Sequence, residues 1–220
     1  MKRSVLLLFV IGFIFIINST PAEAIWLEGG NIFSDAPNHQ QDVQSVSDDA
    51  GNTFIVWEDY RNGGYPDVYF QKIDSNGNPL WTANGLAVAF GTNYQTDPMI
   101  FSDGEGGVVV VWEDYQTGPI YSIKAQRFDA DGNSLWTAGG ETLVSGSVDL
   151  LNVNVITDEL GGVIAVWDND SSGNYDVYVQ RMDVDGSVIW GAGGTRVSID
   201  TDSQFQAVLC PDGTGGAIVA

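Results

Sequence analysis

Seven tryptophans, all in two evenly spaced series, constrain this chain more than any other feature. Trp26, Trp81, Trp136 and Trp190 follow one another at intervals of 55, 55 and 54 residues, and Trp57, Trp112 and Trp167 at 55 and 55. A fixed period of this length marks a tandem repeat, each unit being one supersecondary element that buries its face against the next. Other positions keep the same phase. Asp48, Asp103, Asp158 and Asp212 each stand 22 residues after a tryptophan of the first series. Gln71, Gln126 and Gln180 each precede a basic residue, and Asp74, Asp129 and Asp183 each open a turn that carries Gly77, Gly132 or Gly186.

The second unit shows what the repeat folds into. Pro98–Phe101 is a short apolar run, Ser102–Gly107 a turn cluster, and Val108–Trp112 a β-branched run too short for a helix. Ser122–Phe128 alternates, Asp129–Asn133 is a second hairpin turn, and a further strand passes a Gly-Gly interruption to end near Val144. The spacing predicts strands A (97–102), B (107–113), C (122–129) and D (134–145). Four short strands in about 55 residues is the size of one propeller blade. The expected fold is all-β, a β-propeller of four-stranded antiparallel blades, incomplete at about three and a half blades. The expected boundaries are 42–96, 97–150, 151–203 and 204–220, with 25–41 as a closing-type outer strand. The final residues match Gly106 to Val111 of the second unit, which reads as a fragment of a longer ring completed by further blades.

Val56-Trp57-Glu58-Asp59-Tyr60-Arg61-Asn62-Gly63, then Asp67-Val68-Tyr69 and Asp74-Ser75-Asn76-Gly77 with Trp81, resembles the secreted bacterial propellers built from Asp-box (BNR, sialidase-like) repeats. The likeness covers the blade layout of the whole mature chain with a degenerate box, its aromatic four rather than three residues after the glycine. The resemblance implies a propeller. The hydrolase chemistry of the sialidase branch needs an arginine triad, and Arg127 and Arg181 are repeat-equivalent strand residues, so that chemistry does not carry over.

The A–B and C–D turns keep their length, whereas the B–C and D–A connections vary. In an up-and-down blade those two connections emerge on one face, and loops on a rigid β scaffold are where binding residues sit. Candidate ligand-binding residues on that face are Asp59, Tyr60, Arg61, Asn62, Tyr65, Asn93, Tyr94, Asp114, Tyr115, Asn174 and Tyr175. Aromatic platforms beside amides and carboxylates suit a glycan or an extracellular protein. Asp129 with Asp131, and Asp183 with Asp185, flank glycines as calcium ligands do. The same residues also satisfy the backbone of a hairpin turn, and no other cofactor is expected. Glu58-Asp59, Glu113-Asp114 and Asp168 close the B strands; neighbours on a strand point to opposite faces, and recurrence in every unit reads as structural.

Lys2 and Arg3, an apolar Val5–Ile17 run and Ala22-Glu23-Ala24 read as a secretory leader over residues 1–24, so the chain is expected outside the cell or on its surface. A net charge of −21 repels nucleic acid and anionic lipid. His39 is the sole histidine and Cys210 the sole cysteine, which removes an intrachain disulfide and most triads; Cys210 reads as a small buried hydrophobe. The function expected is a non-enzymatic binding module, and the alternative is a glycan-active, sialidase-like propeller hydrolase with its catalytic residues partly beyond the chain's end.

Overall fold

The computed structural model describes residues 31–116, 120–146, 150–170, 173–198 and 200–220, without the side chains of 116 and 120. The expected leader and residues 25–30 of the expected outer strand lie outside the described residues. The fold is all-β, and no helix occurs among the described residues. The first sheet comprises β1 (Gln40–Ser47), β2 (Thr53–Asp59), β3 (Asp67–Ile73) and β4 (Leu86–Ala89). The second comprises β5 (Tyr94–Ser102), β6 (Val108–Gln116), β7 (Ile120–Phe128) and β8 (Glu141–Gly146). The third comprises β9 (Leu151–Thr157), β10 (Val163–Asn169), β11 (Asp176–Met182) and β12 (Thr195–Arg196). A two-stranded pair, β13 (Leu209–Pro211) and β14 (Ala217–Val219), follows.

Each four-stranded sheet is an antiparallel meander in chain order. The first strands lie side by side: β5 packs on β1, β9 on β5 and β13 on β9. That arrangement is consistent with a propeller-like fold, and no sheet closes on itself. A second strand sandwiched between neighbouring sheets is covered on both faces, so its sequence need not alternate. Val108 to Trp112 are accordingly all fully buried.

Trp57, Trp112 and Trp167 occupy the same register, each opposite the fifth residue of its antiparallel pairing, and each is 0–1% exposed. Every one rests on a glycine: Gly140 holds φ +78° beneath Trp112, and a Cβ there would collide with the indole and the Ala125 carbonyl. Gly85 and Gly194 do the same for the other two rings. The series that contains Trp136 links sheets. The Trp136 indole N–H donates to the Val184 carbonyl at 2.8 Å, against Gly186 of the next unit.

The phased polar residues are satisfied in a repeated pattern. Gln126 Oε1 accepts from the Arg127 and Trp136 backbone N–H groups while its Nε2 donates to the Thr137 carbonyl. Gln71 and Gln180 repeat this pattern. Asp103 caps its turn through the Glu105 and Gly107 N–H groups and pairs with Arg127. Asp48 and Asp158 pair likewise with Lys72 and Arg181. Buried polar groups that are fully partnered cost little and fix register.

Four sequence expectations differ from what is observed. Strand D of the second unit begins at Glu141, not Ser134; Ser134 only bridges Phe128, because Gly139 and Gly140 turn the chain with positive φ. Strand A begins at Tyr94, so Tyr94 to Thr96 belong to a strand and not to a loop. Cys210 is exposed, since no further sheet among the described residues covers β13. Residues 31–39 carry no strand assignment, although Phe33 packs on Trp57 with ring centroids 5.3 Å apart.

Candidate functional site: a tyrosine cleft between the first two sheets

Each first strand carries a bulge at one end. Pairing of β1 with β2 jumps from Gln41 to Gln44, and that of β5 with β6 from Thr96 to Met99. On β10 the pairing with β9 jumps between Val166 and Asp168. Asp42, Asp97 and Asn152 sit inside these irregularities with φ of 51°, 51° and 52°. Among L-residues, Asp and Asn tolerate the left-handed region best, because a short polar side chain can bond locally there. Pro98 lacks an N–H and loses nothing by standing where the ladder is interrupted. The bulges re-aim side chains at the ends of the innermost strands.

These ends border a cleft of ≈ 620 Å³ between the first and second sheets. Its walls include Tyr60, Tyr65, Tyr94, Tyr115 and Tyr121, together with Gln41, Asp42, Glu58, Thr92, Asn93, Thr96 and Asp97. Tyr65 and Tyr94 pack with centroids 4.4 Å apart, and Tyr115 meets Tyr121 edge-on at 4.6 Å. A neighbouring groove of ≈ 450 Å³ shares Asp42, Asp97 and Tyr115 and adds Glu113 and Asn152.

The cleft is acidic and partly dry. Burial pushes the Glu58 carboxyl above its ordinary range; Asp42 and Asp97 add to this, while the Asp97 N–H and the Gln41 amide oppose it. Burial likewise raises Glu113, opposed by the hydroxyl of Tyr115, which donates to its Oε2. Burial and then Glu113 push the Tyr115 hydroxyl up, and burial and then Glu58 do so for Tyr60. Both phenols are therefore neutral donors near neutral pH. Thr96 Oγ1 is buried without a hydrogen-bond partner.

Of the sequence candidates, Tyr60, Tyr65, Asn93, Tyr94 and Tyr115 meet in this cleft. Asp59 and Arg61 do not line it. Asp59 is buried beneath its sheet, accepting the Trp57 indole N–H at 2.8 Å and pairing with Arg61 at 2.6 Å. That pair and the indole hold Asp59 below its usual range although burial alone would raise it. The Arg61 guanidinium lies 3.6 Å from the Tyr69 ring centre. Asn62 bonds Asp67 within its own loop. Asp114 faces a separate cavity on the other side of Asn93. Asn174 and Tyr175 belong to the third sheet, where they contact Thr201 and Gln204. Gln41, Asp42, Glu58, Thr92, Thr96, Asp97 and Tyr121 were not among the candidates. The recurrence of Asp42 and Asp97 at the 55-residue phase is the signal that marks two of them.

The carboxylates with calcium-like spacing are occupied by their own turns. Asp129 Oδ1 accepts from the Asp131 and Asn133 backbones, and Oδ2 from the Asn133 amide. Asp183 accepts from Asp185 and Ser187 in the same way. Among the described residues, no group of three or more His, Cys, Asp or Glu side chains is placed to hold a metal ion.

No protein-family profile matches the sequence, and no curated protein is similar to it. One solved structure with some likeness is the endo-arabinase from Bacteroides thetaiotaomicron VPI-5482, at 16% identity and a TM-score of 0.41. The likeness covers 75% of this chain and 58% of the arabinase. At that depth it fixes neither family nor activity.

Proposed function

We propose that the chain is an exported, non-enzymatic β-propeller module of about 55-residue blades that binds a glycan in the tyrosine cleft. The observation that carries this reading is the convergence of five tyrosines with Asp42, Glu58, Asp97 and Asn93 on one cavity of ≈ 620 Å³. Ring faces cover the apolar side of a sugar, and carboxylate, amide and hydroxyl groups exchange hydrogen bonds with its hydroxyls. The unpartnered Thr96 Oγ1 is one such group. An acidic wall disfavours anionic ligands, so the glycan is neutral or basic. The leader over residues 1–24 supports export to the surface, where glycans are met.

A printed array of linear and branched glycans tests the reading. Binding that falls at least about tenfold in Tyr94→Ala and Tyr60→Ala, with unchanged melting temperatures, supports it. Loss of binding only in step with loss of stability contradicts it.

One observation favours a second reading, a glycan-active hydrolase. Glu58 and Glu113 are held towards their protonated forms beside Asp42 and Asp97. Two carboxyls in different environments around one groove are the minimal equipment for glycoside hydrolysis. Release of reducing ends from the array's best binder, abolished in Glu113→Gln, would select this reading over the first.

A further inference from the structure

A second cavity, of ≈ 420 Å³, lies on the other side of the segment that walls the tyrosine cleft. Gly91 to Asn93 form a bend that leads into β5, where side chains alternate from Tyr94 onwards. Thr92, Tyr94 and Thr96 line the tyrosine cleft, Gly91 and Gln95 line the second cavity, and Asn93 touches both.

The repeat shows that this space is left open in one unit and filled in another. In the first sheet the guanidinium of Arg61 bonds Asp59 and the Asn84 carbonyl, against the Tyr69 ring. One period later, Gln116, Asp114, Gly139 and Lys124 stand at these four positions. No guanidinium is available there, and the phenol is replaced by an aliphatic stem with an ammonium. Trp57 donates its indole N–H to Asp59, whereas the equivalent Trp112 Nε1 is without a partner and Asp114 is met by the Asn93 amide at 3.3 Å.

What remains is a buried polar wall with an acceptor that nothing meets. Gln95 is 2% exposed, lines the cavity, and its Oε1 has no hydrogen-bond partner. A buried acceptor left unmet is costly, so such groups are ordinarily paired with something. Asp114, 7% exposed, supplies a second acceptor, and Lys124 supplies a donor on the same wall. One positive and one negative group oppose selection of either a cation or an anion. They suit a neutral molecule whose groups both donate and accept, which describes adjacent sugar hydroxyls. Phe90, 74% exposed, offers a ring at the cavity edge for the apolar face of the same sugar.

We infer that this cavity is a second sugar subsite, taking one ring of a neutral linear oligosaccharide whose neighbouring part lies in the tyrosine cleft across Asn93. The inference rests on the glycan reading and adds the polymer geometry: an extended, uncharged chain crossing the Gly91–Thr96 segment.

The test uses the full chain and the best linear binder from the glycan array, shortened one sugar at a time and titrated by calorimetry. The unaltered chain gains about tenfold or more in affinity when the oligosaccharide becomes long enough to cross the segment. Gln95→Leu and Phe90→Ala each abolish that gain and keep the affinity for the short form. Gln95→Leu removes the unmet acceptor together with the amide Nε2, so its melting temperature is measured alongside, and the exposed Phe90 gives a second variant with an intact fold. A length gain that survives both substitutions overturns the second subsite while leaving the tyrosine cleft in place. Equal binding of short and long forms does the same. Tyr94→Ala binding every length as the unaltered chain does, or an array with no bound glycan, overturns the glycan reading and this one with it.

Discussion

The backbone N–H of Asp97 donates to Glu58 Oε1 at 3.0 Å, joining the bulged first strand of one sheet to the second strand of the sheet before it. The same bridge recurs between Gln206 N–H and Asp168, at 3.0 and 3.2 Å. Glu113, the equivalent in the middle sheet, accepts instead from the Tyr115 hydroxyl beside the cleft. A repeated acid thus serves as a staple in two units, one of which also lines the tyrosine cleft, and in the middle unit it lines the neighbouring groove instead. Departure from the repeat is what singles it out.

The staple and its departure differ in pH behaviour. Glu58 and Glu113 have folded pKa values above the ordinary 4.5, first because of burial. A raised carboxyl favours folding while protonated, and that contribution is lost as pH rises from the ordinary value through the raised one. The double variant Glu58→Gln, Glu113→Gln is expected to flatten the decline in melting temperature over that window. An unchanged pH profile would show that neither carboxyl titrates abnormally.

Asp48 works with the opposite sign. Burial alone would raise it, but the Asn52 side chain and backbone and the Lys72 ammonium bring it down to about 2 from 3.8. Its contribution is complete above the ordinary value and is lost as pH falls towards 2. Asp48→Asn should lower the melting temperature at pH 7 and narrow the gap to the unaltered chain at pH 2. A gap of equal size at both pH values would argue against the pair.

The indole–glycine contact sets packing tolerance. Trp112→Ala should cost about 3–5 kcal/mol by denaturant titration, as large aromatic truncations in a core do. Gly140→Ala requires both a left-handed backbone and displacement of the indole, and should cost on the order of 1–3 kcal/mol. A loss below half a kilocalorie in either (roughly the surface average) would mean the ring is not held as described.

Turn carboxylates give a metal test. Asp129→Asn keeps an oxygen acceptor for the Asp131 and Asn133 N–H groups, so it should retain nearly all stability, whereas Asp129→Ala should lose about 1 kcal/mol. Melting curves of the unaltered chain in calcium and in EDTA are expected to coincide; a calcium-dependent rise abolished by Asp129→Asn would restore a metal to that turn.

Much of the fold was legible because the phased residues do local, repeatable work. Gln126 satisfies three groups around its own strand, and Asp103 closes its own turn. Such patterns survive as fixed spacings in one sequence. Strand starts were not legible, since Tyr94–Thr96 extends β5 beyond a bulge that carries Asp97, a residue that reads as loop. Four of the cleft's five tyrosines, Tyr60, Tyr65, Tyr94 and Tyr115, were found through loop variability. Of its acids, Glu58 was read as structural because it recurs, and Asp42 and Asp97 were not singled out, yet adjacent first strands bring recurring residues together at one end. Asp114 reads as the start of a loop but lies within β6, and which side of Asn93 it faces depends on strand alternation that a loop reading conceals.

The most direct test of the cleft is NMR of the chain titrated with the array's best glycan. Trp57, Trp112 and Trp167 are 0–1% exposed and Tyr94 is 46% exposed, so the two aromatic types report on packing and on binding separately. Ring resonances of Tyr60, Tyr65, Tyr94 and Tyr115 should shift with saturation while the indole signals of the three buried tryptophans stay fixed. Shifts confined to tryptophans, or to Asn174 and Tyr175 of the third sheet, would contradict the assignment.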